Sequence, residues 1–146
     1  MSAIIIRKAV VADGQAVAHL LGELGYPNAR AFCEGKLARL SRSQGDHVLV
    51  AEVSGSVVGV AHLHVAELFH KRGLMGRVMA IVVTEKARGA GVGQKLMASA
   101  EMMAQRAGCV MMEVTSGLRR HWAHAFYQEL GYVEERKRFV KTLARR

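Results

Sequence analysis

The 146 residues, 51% of them hydrophobic and 23% charged, are enough to bury a sizeable core without disulfides or metals, so one domain spanning residues 1–146 is expected. Lysine and arginine (21) exceed aspartate and glutamate (12), but they are scattered in short clusters such as Lys71-Arg72, Arg119-Arg120 and Arg136-Lys137-Arg138. That pattern offers no long basic tract interleaved with aromatics, so it does not force a nucleic-acid partner, and the surplus can equally serve a polyanionic cofactor. Cys33 and Cys109 stand singly, the opening run Ile4-Ile5-Ile6 is too short for a secretion signal, and no stretch approaches a membrane span, so a cytoplasmic chain with reduced thiols and no membrane partner is expected.

Ala3 to Lys8 is β-branched and apolar, a strand. Asp13 stands at an N-cap position before Ala16, Val17, Leu20, Leu21 and Leu24 at helical spacing, and Gly25-Tyr26-Pro27 stops that helix. Ala31 to Leu40 makes a second, shorter helix. His47 to Val53 and Val57 to Val65 are β-rich runs joined by Ser54-Gly55-Ser56, the chemistry of an antiparallel hairpin. Glu67 to Gly76 is a polar connection, and Arg77 to Val83 is another strand. Gly91 to Ala107, with Val92, Leu96, Ala100, Met103 and Ala107 on one stripe, is the longest helix and ends at Gly108. Cys109 to Val114 is a strand, Arg119 to Leu130 a helix closed by Gly131, and Tyr132-Val133 and Phe139 to Leu143 two final strands. The order βααβββαβαββ is α+β in the middle and α/β at the end, which predicts a mixed sheet flanked by helices.

The segment Arg88-Gly89-Ala90-Gly91-Val92-Gly93-Gln94 follows a strand and opens the longest helix. Glycines at alternate positions let the backbone approach a ligand closely, and the free N–H groups at a helix start suit a pyrophosphate. Taken alone, the turn fits either an anion cradle or a tight connection that binds nothing. A Walker loop would need Lys-Ser/Thr after its last glycine, where this chain has Gln94-Lys95-Leu96, and a dinucleotide fingerprint would lie at the first strand with wider spacing.

Arg88-Gly89-Ala90-Gly91-Val92-Gly93 matches the acyl-CoA signature Gln/Arg-x-x-Gly-x-Gly/Ala, and Ala123-His124-Ala125-Phe126-Tyr127-Gln128-Glu129-Leu130-Gly131-Tyr132 matches a late-helix landmark of the same family. In these motifs and their order the chain resembles the GNAT superfamily of N-acetyltransferases, with a narrower likeness to aminoalkylphosphonate and other small-molecule amine N-acetyltransferases. The resemblance implies a single, mostly antiparallel mixed sheet flanked by helices, acetyl-CoA as acyl donor, a primary amine of a small molecule as acceptor, and a homodimer. It implies that the main chain of Ile81, Val82 and Val83 pairs with pantetheine amides, that Arg88, Gly89, Ala90, Gly91, Val92, Gly93 and Gln94 hold the pyrophosphate, and that the amine attacks the thioester directly. Tyr127 matches the tyrosine that faces the departing sulfur. Full proton transfer from a phenol to that thiolate is about 2 kcal/mol uphill, so a hydrogen bond comes first.

An acceptor ammonium costs about 4 to 5 kcal/mol to deprotonate at neutral pH, so a base is needed. Family members often carry an acidic residue where this chain has Met79 and Ala80, and an asparagine where it has Arg120. His62 and His64 point to one face of a strand, and His64 is the expected base, with Glu113 a weaker candidate. His62, His64 and His70 have no carboxylate at metal-site spacing, so no metal is expected. Arg77, Arg119 and Arg120 bias the acceptor site toward anionic substrates. Two other readings stay open: an acyl-CoA-binding sensor without turnover, and a modifier of protein N-termini or lysines.

Overall fold

The computed structural model describes residues 2–115, 121–135 and 138–144, and leaves the side chains of His121 and Trp122 undescribed. Its elements are β1 (Ile4–Lys8), α1 (Gly14–Leu24), α2 (Cys33–Ser41), β2 (Asp46–Val53), β3 (Ser56–Glu67), β4 (Leu74–Val83), α3 (Val92–Ala107), β5 (Cys109–Val114) and α4 (His121–Glu129). Residue contacts divide the chain into two compact units, residues 1–115 and residues 116–146.

In the first unit the five strands lie in sequence order, antiparallel from β1 to β4 and parallel between β4 and β5. A two-residue turn, Ser54-Gly55, with φ of +51° and +81°, closes the β2–β3 hairpin in the twist such turns favour. Beyond it the ladder slips by one residue, so that Glu52 faces Val57 but Ala51 faces Gly59. Both β3 and β4 run further than their composition implied. Pairs from Val65↔Gly76 to Glu67↔Leu74 draw much of the expected connection into the sheet.

Each sheet face has its own core. Val50, Val60 and Val82 pack with Val17, Ala18 and Leu20 of α1 and Cys33 and Leu37 of α2. Leu49, Ala51 and Ala61 pack with Val92 and Leu96 of α3 on the other face. Leu96 is wholly buried, which contributes about 1.5–3 kcal/mol. The helix sits close because β3 offers Gly59 beneath it: a Cβ there would lie 3.0 Å from Leu96 Cδ1 and 3.2 Å from Val92 Cγ1. Asp13 does occupy the N-cap position of α1, but its carboxylate turns back to accept from Val10 N at 2.8 Å and from both terminal nitrogens of Arg7. The Arg7 guanidinium holds the Asp13 carboxyl below its ordinary range against the opposing effect of burial.

In the second unit α4 ends at Glu129, and Gly131 takes a left-handed φ of +93°. The two strands expected at Tyr132-Val133 and Phe139 to Leu143 are not formed among the described residues. A strand needs a hydrogen-bonded neighbour as well as apolar composition; none is paired there, and Val133, Phe139, Val140 and Leu143 are exposed. The charged turn at Arg136-Lys137 and the expected helix start at Arg119-Arg120 lie outside the described residues.

Candidate functional site

The first part of the site is a fork in the sheet. β5 pairs with Leu74 to Val78 only, whereas β3 follows β4 as far as Val83. Among the described residues, Met79 to Val83 therefore has no partner on the β5 side, which leaves a row of main-chain donors and acceptors available to an extended, amide-bearing ligand. Ile81, Val82 and Val83 lie on this row. At the fork β4 carries a bulge: Ala80 faces His62 and Val78 faces Leu63, with Met79 left over between them.

The second part is the glycine turn. After Val83, Thr84 N–H donates to Val58 O at 2.8 Å, a 3₁₀ turn spans Glu85–Ala87, and Arg88 Nε donates to Val83 O at 3.1 Å. Gly89 and Gly91 follow with φ of +83° and +88°, a region in which any side chain is strained. Around Gly89 a Cβ would meet nothing within 4 Å, so the turn opens onto space. Gly91 is the N-cap of α3, and no side chain caps that helix. Its first intrahelical bond is Lys95 N to Gly91 O, so the N–H groups of Val92, Gly93 and Gln94 point out of the helix start, at the positive end of a 16-residue dipole. The array suits an anion. Lys86 and Lys95 are exposed beside it.

The third part is a polar row across the sheet. Asp46 faces His64, His64 faces Arg77, and Arg77 faces Glu113, so β2, β3, β4 and β5 each contribute one side chain to the same face. It is the face of Val48 and Val50, toward α1 and α2, because His62 pairs with Val48. Asp46 Oδ1 lies 2.7 Å from His62 Nε2 and 2.9 Å from His64 Nδ1, and Ser43 Oγ donates to Oδ2 at 2.7 Å. Burial pushes the Asp46 carboxyl up, but the hydrogen bonds from Ser43, His62 and His64 outweigh it and hold it at about 2. An ionised carboxylate only accepts, so the ring nitrogens that face it carry protons. In neutral His64 the lone pair is then on Nε2, the atom turned away from Asp46 on a half-exposed ring, and in neutral His62 it is on Nδ1. This is the arrangement of an oriented base. Arg77 meets Glu113 at 3.5 Å and Thr115 Oγ1 at 3.3 Å, long contacts on a partly exposed side chain that hold it weakly.

The structure thus joins His62 and His64 through a carboxylate that lies 16 and 18 residues away, a partner the sequence reading lacked. The local sequence carried no signal for it, because the contact depends on hairpin register. Glu23 of α1 was also missed; it accepts from Thr84 Oγ1 at 2.7 Å and from Glu85 N at 3.1 Å, just ahead of the glycine turn. Among the described residues no group of three histidines, cysteines or carboxylates could hold a metal ion, and no helix is long and apolar enough to cross a membrane.

Tyr127 belongs to the second unit. Half-buried on α4, its ring stands edge-on to Phe126 and Tyr132, with centroids 5.3 and 6.1 Å away, and its carbonyl accepts from Tyr132 N at 3.0 Å. Arg119 and Arg120 are outside the described residues.

Residues 44–134 match the family model for an acetyltransferase (GNAT) domain. An aminoalkylphosphonate N-acetyltransferase of Salmonella typhimurium is 33% identical over 140 residues, which cover 94% of this chain and 90% of the relative. Among solved structures, an aminoglycoside N-acetyltransferase in complex with CoA superposes with a TM-score of 0.88 at 18% identity, covering 99% of this chain and 97% of its own. A GNAT family acetyltransferase of Staphylococcus aureus gives 0.81 at 24%, covering 98% and 100%. At these identities the structural likeness speaks for the fold.

Proposed function

Because the chain belongs to the GNAT acetyltransferase family, we propose that it transfers acetyl from acetyl-CoA to the primary amine of a small molecule that also carries an anionic group. The observation that carries this reading is the meeting of an oriented histidine with the sheet fork: His62 and His64 flank the strand position opposite the Met79 bulge, where β4 loses its β5 partner.

The residues fit acetyl-CoA at both ends of its binding path. The edge at Ile81, Val82 and Val83 offers peptide-like hydrogen bonds to pantetheine amides, and the N–H groups of Val92, Gly93 and Gln94 at the start of α3, beyond the Arg88–Gly91 turn, offer them to a pyrophosphate. Acetyl-CoA, when bound, supplies an acyl carbon activated by its thioester. The chain's own work is to position the amine and to move its protons. His64 Nε2 takes a proton from the acceptor ammonium, while Asp46 holds Nδ1–H and stabilises the imidazolium that results. The C–N bond forms as the C–S bond breaks, the second amine proton passes to solvent, and the sulfur leaves as a thiolate to which Tyr127 O–H donates a hydrogen bond. Arg77, next to His64 on the same face and weakly held by Glu113, takes the anionic end of the acceptor. That role fits the phosphonate in the name of the Salmonella relative. The reading includes a single catalytic domain that works as a homodimer in the cytoplasm.

Thiol release from acetyl-CoA, measured over a panel of aminoalkylphosphonates, neutral amines and peptide N-termini, tests the proposal. It expects turnover with the phosphonates well above that with neutral amines of the same length, and the preference should vanish in Arg77→Met. Tight acetyl-CoA binding with no release for any acceptor would favour a sensor, and turnover confined to peptides would make the protein a protein-modifying enzyme.

A further inference from the structure

We infer that Glu23 is a positioning residue for the acyl donor: a carboxylate on α1 that caps the 3₁₀ turn leading into the glycine loop and so presets the backbone amides of that loop. The inference rests on the proposal that the loop holds the donor's pyrophosphate.

Glu23 lies in the last turn of α1, where a negative charge meets the negative end of the helix dipole. His19, one turn earlier and 3.6 Å away, is largely exposed and offsets little of this. Local helix stability therefore does not explain a glutamate here, and its partners do. Oε2 accepts from Thr84 Oγ1 at 2.7 Å, and Oε1 accepts from Glu85 N at 3.1 Å. Thr84's hydrogen bond is the main cause that holds the Glu23 carboxyl below its ordinary range, ahead of the opposing effect of burial.

Thr84 is the N-cap of the turn Glu85–Ala87, yet its hydroxyl does not cap that turn. It is given to Glu23, and Glu23 in exchange takes the first N–H of the turn, a donor that would otherwise have no partner. α1 thus caps from outside a segment that cannot cap itself. The segment matters because it is the whole connection between Val83, where β4 ends, and Arg88, where the loop begins. Gly89 and Gly91 that follow have no side chains to brace them, so the direction in which the loop amides point is set by the ties upstream. Several ties hold the segment: Thr84 N to Val58 O, Ala87 N to Thr84 O, Arg88 N to Glu85 O, Arg88 Nε to Val83 O, and the Glu23 pair. The first four lie within the sheet and the segment itself. The Glu23 pair anchors the segment to the helix layer. Removing it leaves the loop's ordering to be supplied at binding, which weakens the donor complex without touching the chemistry.

The test is calorimetric titration of acetyl-CoA, with steady-state rates, on Glu23→Ala, Glu23→Gln and Gly91→Asp. Glu23→Ala should raise the Kd and KM for acetyl-CoA about tenfold and leave kcat at saturating donor within about twofold. Glu23→Gln should recover most of the affinity, since its oxygen still accepts from Glu85 N and the Thr84 hydroxyl can turn to accept from its amide. A folded Glu23→Ala protein with wild-type affinity overturns the inference. If that variant does not fold, Thr84→Val removes the same hydroxyl donor and should show a rise in Kd of the same sense, and an unchanged Kd there overturns it equally. Gly91→Asp separates the two proposals: abolished binding in Gly91→Asp beside unchanged binding in Glu23→Ala sinks only the role of Glu23, whereas unchanged binding in Gly91→Asp sinks the pyrophosphate reading itself.

Discussion

Asp46→Asn changes one atom of the polar row and, on the proposed mechanism, reaches the reaction through His64. In the native chain Oδ1 accepts from His62 Nε2 at 2.7 Å and from His64 Nδ1 at 2.9 Å, while Oδ2 accepts from Ser43 Oγ at 2.7 Å. An asparagine has one acceptor oxygen and one donor nitrogen, and either orientation is costly. With the amide N–H₂ toward the imidazoles, the His64 proton moves to Nε2, and the atom that must accept the amine's proton no longer can. With the oxygen toward them, the tautomer survives but the charge that stabilises the imidazolium is gone, a loss of about 1.5–3 kcal/mol for a charge-assisted hydrogen bond. That is about 10- to 150-fold in rate, and the tautomer flip extends the range toward the 10²–10⁴-fold contribution of general-base catalysis. Initial rates of thiol release, measured as kcat/KM for the amine across pH, read the effect. The deficit should be largest near neutrality and shrink as pH approaches the amine's own pKa, where the acceptor is neutral unaided. Calorimetry should find acetyl-CoA affinity unchanged. A deficit of equal size at every pH, or none, would refute the argument that Asp46 sets the base.

On the proposed mechanism Tyr127→Phe removes the hydrogen bond to the departing sulfur and should lower kcat about 10- to 100-fold with little change in the Kd for acetyl-CoA, as single-turnover rates and calorimetry would read. Gly59→Val places methyl groups where a Cβ alone already stands 3.0 Å from Leu96 Cδ1, so urea unfolding should show a loss of about 1–3 kcal/mol from the seating of α3. Acid sensitivity follows from Asp46. Its carboxyl is lowered from 3.8 to about 2 in the folded chain, so its stabilising contribution is complete above pH 3.8 and is lost as pH falls toward 2. Melting temperatures of the wild type should fall through that window, and those of Asp46→Asn should fall less steeply.

The glycine turn and the helix behind it were legible in the sequence because their signals are local. Alternate glycines between an apolar strand and an amphipathic helix specify a left-handed turn and an uncapped helix start, and the structure has both at Gly89, Gly91 and Val92. The strand–helix order from Ile4 to Glu129 came from periodicity for the same reason. The final two strands failed because apolar character cannot say whether a segment will find a partner.

The sequence by itself determined the residue types available for proton transfer, and only the tertiary structure decided which of them meet. A two-residue hairpin carried straight through from Val53↔Ser56 would set His47 opposite His62 and Asp46 opposite Leu63. The one-residue slip between Ala51 and Glu52 instead brings Asp46 opposite His64 and turns it to the histidine face. Side chains alternate along a strand with a period of two, so a single extra residue in β3 exchanges which of two neighbours reaches the site. Glu23 and Thr84 are likewise ordinary surface residues in sequence, 61 positions apart, and become a pair only when α1 packs on the sheet.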